Sequence, residues 1–289
     1  MADDDLLHRF IFDNSDVRGE IISLSNSYRN ILANGDYPDA INRLLGELLA
    51  AAGLLSATMK FDGVFSLQAR GDGELNLLMA DCTRQDSLRG IARLRDGATP
   101  TSAELATLLG TGHLTITVDP AEGERYQGIV PLEKGTLSGC LEDYFELSEQ
   151  LPTRLWLFAD DQRAAGLLLQ ALPLQTQSQE QRDSYWQHLC VLADTLSGEE
   201  ILSLDNTTIL NRLFHQEPLR LFAPRQLQFA CSCSETRTGD MLVSLGRDEV
   251  QAILDEQGKV SVQCQFCHQQ YLFDQTKIDV LFAPQRTLH

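Results

Sequence analysis

The sequence is short of positive charge: 23 Lys and Arg stand against 41 Asp and Glu, a formal net charge of −18 over 289 residues. Such a balance repels phosphate backbones and argues against general nucleic-acid binding. No run of eighteen apolar residues is present, so no membrane span is expected. The opening Met1-Ala2-Asp3-Asp4-Asp5 is acidic and lacks the basic and apolar regions of a signal peptide. That points to the cytoplasm, where thiols stay reduced and disulfides are rare. Catalytic signatures are missing as well: there is no G-x-S-x-G elbow, no H-E-x-x-H and no Walker loop. Gly71-Asp72-Gly73 reads as a turn and not as a phosphate cradle, and nothing in the sequence argues for an enzyme.

What is present begins with an apolar fraction of 43%, normal for a chain that packs a core. Up to about residue 175 the pattern mixes strands and helices. Val17–Leu24 reads as a strand, followed by a helix through Tyr28 and Ile31. A second helix starts at Asp36-Tyr37-Pro38, with an apolar stripe at Ile41, Leu44, Leu45, Leu48, Leu49 and Ala52. Thr58–Phe61, Val64–Ala69 and Glu74–Met79 read as antiparallel strands joined by glycine turns. His113–Val118 with Arg125–Val130 reads as another hairpin, Leu137–Gln150 as a helix closed off by Pro152, and Leu155–Phe158 and Leu167–Leu172 as strands. Hairpins dominate, so the expected class is α+β, with helices packed on antiparallel sheets.

Gln175–Gln181 is polar, lacks a core pattern and reads as a linker. Beyond it, Tyr185, Trp186, Leu189, Ala193 and Leu196 share one helical face, Ser197-Gly198-Glu199-Glu200 matches a capping box, and Ile209, Leu210, Leu213 and Phe214 follow. This segment is too short to bury its own faces and must lean on a neighbour. The expected organisation is an α+β core over residues 1–175, a helical linker region over 176–230 and a small zinc-binding domain over 231–289.

The last of these holds four of the seven cysteines in two tight pairs, Cys231-Ser232-Cys233 and Cys264-Gln265-Phe266-Cys267. Two close thiol pairs offer four sulfurs to one ion, and Zn²⁺ prefers tetrahedral thiolate coordination. The expected ligands are therefore Cys231, Cys233, Cys264 and Cys267, holding one Zn²⁺ per chain. Arg247–Glu256 reads as a helix ended by Gly258, and strand patterns at Lys259–Gln263 and Tyr271–Phe273 flank the second pair, making it a knuckle. From residue 231 onward five Lys or Arg face eight Asp or Glu, so this module lacks the basic face of a nucleic-acid zinc finger. Cys264–His268 matches the haem c attachment pattern, but that chemistry needs export; a thioredoxin-like pair would open a helix, which the flanking strands oppose. His268 adjoins four cysteines that already fill a tetrahedron and reads as a neighbour that tunes the site. Cys82, Cys140 and Cys190 read as small apolar residues.

A structural Zn²⁺ contributes roughly 10–16 kcal/mol to its module, comparable to the whole stability of a domain. Removing it should unfold a module of fewer than about seventy residues outright. Four thiolates around a dication stay electron-rich and open to strong oxidants, and each pair is close enough to close as a disulfide, the Cys231–Cys233 ring being strained and readily reduced. A reversible order-to-disorder switch follows from this chemistry. Sulfurs that stay metal-bound for the protein's lifetime, in a static zinc-bearing interaction module, remain the alternative on spacing alone; a thiol oxidoreductase is a third.

The chain resembles a known family, the redox-regulated bacterial heat-shock chaperones (33 kDa chaperonin). The resemblance runs nearly end to end. It rests on Phe229-Ala230-Cys231-Ser232-Cys233-Ser234, Leu242, Leu245-Gly246, Glu249, Gly258, Val262, Cys264, Cys267, Tyr271 and Phe273 in the C-terminal part. In the body it rests on Met59-Lys60-Phe61-Asp62-Gly63, Leu77-Leu78-Met79, Leu137-Ser138-Gly139-Cys140-Leu141-Glu142-Asp143-Tyr144-Phe145, Glu149-Gln150-Leu151-Pro152-Thr153-Arg154 and Leu213-Phe214-His215-Gln216-Glu217. The resemblance implies a cytosolic, ATP-independent holdase that is inactive as a reduced, zinc-bound monomer. It implies that oxidation forms Cys231–Cys233 and Cys264–Cys267 disulfides, ejects the zinc and unfolds the zinc module and helical segment. It further implies a homodimer on activation and unfolding client proteins as partners, with no nucleic acid and no membrane involved.

Overall fold

The computed structural model describes residues 4–59, 62–100, 102 and 104–283. The chain divides into two compact units, residues 1–230 and 231–289. The first unit opens with β1 (Leu6–Phe12), β2 (Val17–Leu24), α1 (Asn26–Leu32) and α2 (Asp39–Thr58). Next come β3 (Gly63–Gly71), β4 (Leu75–Thr83), β5 (Ser87–Leu94), α3 (Leu105–Leu109), β6 (Gly112–Pro120) and β7 (Tyr126–Pro131). A helix, α4 (Leu137–Tyr144), runs on as a π-helical turn over Phe145–Glu149 and leads to β8 (Thr153–Ala159) and β9 (Ala164–Ala171). The unit ends with α5 (Gln179–Ala193), α6 (Gly198–Ser203), α7 (Asn206–Phe214) and the short strands β10 (Leu219–Leu221), β11 (Arg225–Gln226) and β12 (Gln228–Phe229).

These strands form two six-stranded sheets, one ordered β10-β1-β2-β9-β8 with β11 also on β1, the other β12-β5-β4-β3-β6-β7. Every pairing is antiparallel except that of β12 with β5, so the α+β class holds. The core of the unit joins α2 to both sheets: Leu45, Leu49 and Leu54 cluster with Ile22, Leu24 and Leu168 of one sheet and Phe65, Leu78 and Leu88 of the other. By length and composition α2 is apolar enough to cross a bilayer, yet 78% of its apolar 18-residue stretch is buried within the protein, as a core helix should be. Its glycines permit this closeness, since a Cβ at Gly53 would lie 2.4 Å from Ile22 Cδ1. The expected stripe on α2 is buried throughout.

The opposite face of the first sheet is covered by α5, α6 and α7. Leu189, Ala193, Ile209, Leu213 and Phe214 pack with Phe10, Phe12, Val17, Ile21, Leu167 and Leu169 in a second cluster. Phe214 stacks edge-on against Phe12 at 5.1 Å, and Tyr185 does the same at 6.0 Å. The helical segment thus leans on the sheet, as its lack of a self-contained core requires. The polar stretch before it is held in place: the Asp16 carboxylate accepts N–H bonds from Gln175, Thr176 and Gln177 at 3.0–3.2 Å. Ser178 and Gln181 form a capping box that makes residues 179–181 the first turn of α5. At Ser197 only half the expected box forms, the hydroxyl accepting from Glu200 N while the Glu200 carboxylate pairs with Arg212 at 2.7 Å.

Two readings of the sequence need correction. Thr58 is the last residue of α2 and not the start of a strand, because Leu54-Leu55-Ser56-Ala57 is buried on all sides and carries no period; Lys60 and Phe61 lie outside the described residues. The partners of β3 are β4 and β6, which leaves β5 as a strand the pattern did not announce.

The second unit comprises α8 (Glu235–Leu245), α9 (Arg247–Gln257), β13 (Val260–Gln263), β14 (Gln270–Phe273) and α10 (Gln275–Leu281). Gly258 ends α9 at φ 74°, the left-handed cap its position suggests. Among the described residues the core of this unit is small: Leu242, Val250, Leu254, Val260, Phe273 and Ile278 are buried. At about 1.5–3 kcal/mol per buried side chain, six residues are a thin hold on such a chain against the ordering entropy.

Candidate metal centre

The first cysteine pair lies just ahead of α8. Ser234 caps that helix through its hydroxyl, which accepts from Arg237 N at 3.1 Å. Arg237 returns a guanidinium bond to Ser232 O at 2.9 Å, which fixes the backbone between Cys231 and Cys233. The second pair sits in the turn joining β13 to β14, whose register runs from Val260↔Phe273 to Gln263↔Gln270. Cys264 N donates to Gln269 O and His268 N donates to Cys264 O, both at 2.9 Å. His268 adopts φ 56°, the left-handed conformation that turns the chain back. The strands therefore aim both thiols of the turn at one point.

That point is shared with the first pair. The four sulfurs lie within 4.8 Å of one another, with Cys231 3.6 Å from Cys264 and Cys233 3.3 Å from Cys267. A tetrahedron of thiolates with Zn–S near 2.3 Å has edges of about 3.8 Å, so the spacing fits a four-coordinate ion. These four cysteines could hold a metal ion, and among the described residues His268 is not in the group.

The electrostatics of the cluster agree. At Cys233 burial raises the thiol pKa, but bonds from the Tyr271 hydroxyl and the other three thiols outweigh it and bring the value down to about 7. At Cys267 burial and the neighbouring sulfurs push it up to about 12, and Cys231 is also raised, by burial first. One thiolate forms easily and later ones are opposed by its charge. A dication at the centre is what lets all four ionise together.

The remaining cysteines sit apart, as small buried residues. Burial raises the Cys82 thiol to about 11 and the Cys190 thiol to about 12, and raises Cys140 as well. None is a ready nucleophile. One contributor escaped the sequence reading: Tyr271, read there as a strand residue, donates its hydroxyl to Cys233 Sγ at 3.1 Å. Its alternation with Phe273 hints at an inward face, but its partner is set by tertiary register.

The family model described as Hsp33 protein matches residues 5–274. The chain is 50% identical to the 33 kDa chaperonin of Pseudomonas paraeruginosa (strain DSM 24068 / PA7), covering 98% of this chain and 96% of that one. It is 49% identical to the 33 kDa chaperonin of Pseudomonas aeruginosa (strain LESB58), with 100% of both chains covered. Among solved structures, the 33 kDa chaperonin of Thermotoga maritima shares the fold with a TM-score of 0.83 at 19% identity, covering 96% of this chain and 97% of that one.

Proposed function

The chain belongs to the Hsp33 family of chaperones, and from that premise we propose that it is a redox-switched, ATP-independent holdase of the cytoplasm. The observation that carries this reading is the four-sulfur cluster set in a unit with a six-residue core. Cys231, Cys233, Cys264 and Cys267 hold one Zn²⁺ in the reduced protein. The ion supplies a charge that keeps four thiolates together and ties the segment before α8 to the β13–β14 turn.

A peroxide or a hypohalous acid then removes two electrons from each thiolate pair. With hydrogen peroxide, one S–S bond forms as one O–O bond breaks, and the two hydroxides released take up two protons from solvent and leave as two waters. In the pairing that the family resemblance implies, the products are Cys231–Cys233 and Cys264–Cys267. Disulfide sulfurs are no longer competent ligands, so the clamp on the C-terminal unit is lost and its small core cannot hold it folded. We assign residues 176–230 the part of a linker that loses structure in the same transition. The apolar surface then exposed binds unfolding client proteins, and the activated form is a homodimer. Reduction restores the thiolates and the resting state.

The test is to treat the zinc-loaded chain with hydrogen peroxide at mild heat and follow zinc, thiols and chaperone activity together. Release of one zinc per chain, loss of four thiols and suppression of citrate synthase aggregation are expected. Oxidised protein that leaves aggregation unchanged would refute the holdase reading. A partner retained equally in reduced and oxidised extracts would point instead to a static zinc-bearing interaction module.

A further inference from the structure

Outside the four cysteines, the cluster is touched by a hydroxyl whose position the fold determines. Tyr271 stands opposite Val262 in the β13–β14 ladder, and both side chains pack against the small core of the C-terminal unit. From that seat its O–H donates to Cys233 Sγ at 3.1 Å. The bond links two parts of the chain far apart in sequence: Cys233 belongs to the segment before α8, whereas Tyr271 belongs to the strand that leaves the second cysteine pair. Cys233 Sγ also approaches Cys267 Sγ to 3.3 Å, so the hydroxyl acts on a sulfur that faces the second pair.

We propose that Tyr271 is a positioning residue of the sulfur switch, its hydroxyl restraining oxidation at Cys233 and so setting how readily the cluster responds to a peroxide. This rests on the reading of the four cysteines as an oxidation-released zinc site. The chemistry gives the direction. Oxidation begins when a sulfur lone pair attacks peroxide: an S–O bond forms, the O–O bond breaks, and hydroxide leaves and takes up a proton. A second thiolate then displaces the oxygen from that sulfur: the S–S bond forms, the S–O bond breaks, and a second hydroxide takes up a proton. Two electrons pass from the sulfur pair to the peroxide. A lone pair engaged by an O–H donor is less available for the first step, and part of the hydrogen bond must be given up to reach its transition state. The acceptor is a thiolate, so the bond is charge-assisted, and giving up roughly half of its ordinary net worth changes such a rate about fivefold.

The experiment compares full-length wild-type protein, Tyr271→Phe, and protein carrying 3-fluorotyrosine at position 271, each loaded with zinc. Zinc release under a fixed excess of hydrogen peroxide is followed with a chromogenic chelator, and the order of thiol loss is mapped by alkylation and mass spectrometry. Zinc stoichiometry and amide dispersion are recorded for each protein. The phenylalanine ring retains the packing, so one zinc per chain and a folded unit are expected with release about fivefold faster and Cys233 lost earlier in the order. The fluorinated ring is a stronger donor and should slow release. Packing alone cannot produce opposite signs from two near-isosteric rings. Zinc-loaded variants that both release at the wild-type rate, or that shift it in the same direction, overturn the role of Tyr271 while leaving the zinc switch intact. A wild-type chain that binds no zinc overturns the switch itself, and this proposal with it.

Discussion

Phe214 offers a direct probe of how the helical segment is held. It is 1% exposed at the end of α7 and meets Phe12 at 5.1 Å and Phe10 at 6.2 Å, so it is the main aromatic link between the segment and β1. Phe214→Ala removes that link and leaves a cavity over the sheet. Substitutions of this kind cost about 3–5 kcal/mol. If α5–α7 open as a unit separate from the rest of residues 1–230, the whole cost falls on that opening. At about 1.4 kcal/mol per decade it raises the open population by about two to four orders of magnitude. Hydrogen exchange read by mass spectrometry is the assay. Peptides spanning α5–α7 should exchange faster by that factor, while those from α2 and β3–β6 keep the wild-type rate. The reduced variant should also suppress client aggregation in part before any oxidant is added. Acceleration spread evenly over α2 and both sheets would refute the reasoning, because the segment would then be part of one cooperative core.

Other perturbations bear on the metal centre and on a buried charge. Cys264→Ser leaves three thiols and should weaken zinc binding sharply; the expected result is loss of amide dispersion for residues 231–289 without oxidant, and full zinc occupancy would contradict four-cysteine ligation. Stripping the metal with a strong chelator should have the same effect on the reduced wild-type chain, with the resonances of residues 1–230 retained in part at least across α2 and its sheets. Glu20, 2% exposed on β2, has a carboxylate oxygen with no hydrogen-bond partner, and burial raises its pKa from 4.5 to about 7 against the pull of Arg18 and Arg9. The folded chain therefore holds this proton more tightly than the unfolded chain. Stability should be fully present below about pH 4.5 and decline as pH rises to about 7; Glu20→Gln should raise the melting temperature at pH 8 and flatten that slope.

The sequence was most readable where covalent spacing or strict alternation carries the information. Two thiol pairs announce a four-sulfur cluster before any fold is known, and the structure brings those sulfurs within 4.8 Å of one another. The β6–β7 hairpin and the β13–β14 knuckle alternate cleanly and form as expected. The end of α2 was hidden because Leu54, Leu55 and Ala57, with the small Ser56 among them, are buried on every side, which erases the helical period that marks a boundary. Strand β5 was hidden for the opposite reason: Arg89 and Arg93 interrupt its apolar pattern, and Arg89 pairs with the buried Asp81 carboxylate at 2.7 Å, a partner that only the tertiary register supplies. Helix α8 contains Gly239, a poor helix former, at a place where a Cβ would lie 2.7 Å from Leu281 of α10. Long-range contacts of this kind leave no local mark, and the Tyr271–Cys233 bond is another.

The doubly covered sheet bears on where the proposed holdase would capture its clients. All eight residues of β9 are buried, since α2 lies on one side of the sheet and α5–α7 on the other. The two covers differ in kind. α2 is a single helix of 20 residues enclosed by both sheets, so it cannot leave without dismantling the core. The other cover consists of helices of 15, 6 and 9 residues, lengths with little stability away from a packing surface. Its polar attachments are side-chain bonds at separate points: the Asp16 carboxylate on residues 175–177, Asp194 bonded to Arg154 and Trp156, Arg163 bonded to Leu202 O, and Asn206 bonded to Ser23 Oγ, Leu6 O and His8. These short helices share one apolar cluster with the sheet, so on the proposed reading they would be lost together. Their departure would bare Phe10, Phe12, Val17, Ile21, Leu167 and Leu169 at once on a sheet still braced from behind by α2. A contiguous apolar face on a rigid support is the surface that captures exposed hydrophobic segments. On the proposed reading the sheet would need no remodelling to become a binding platform; losing the cover of short helices would suffice.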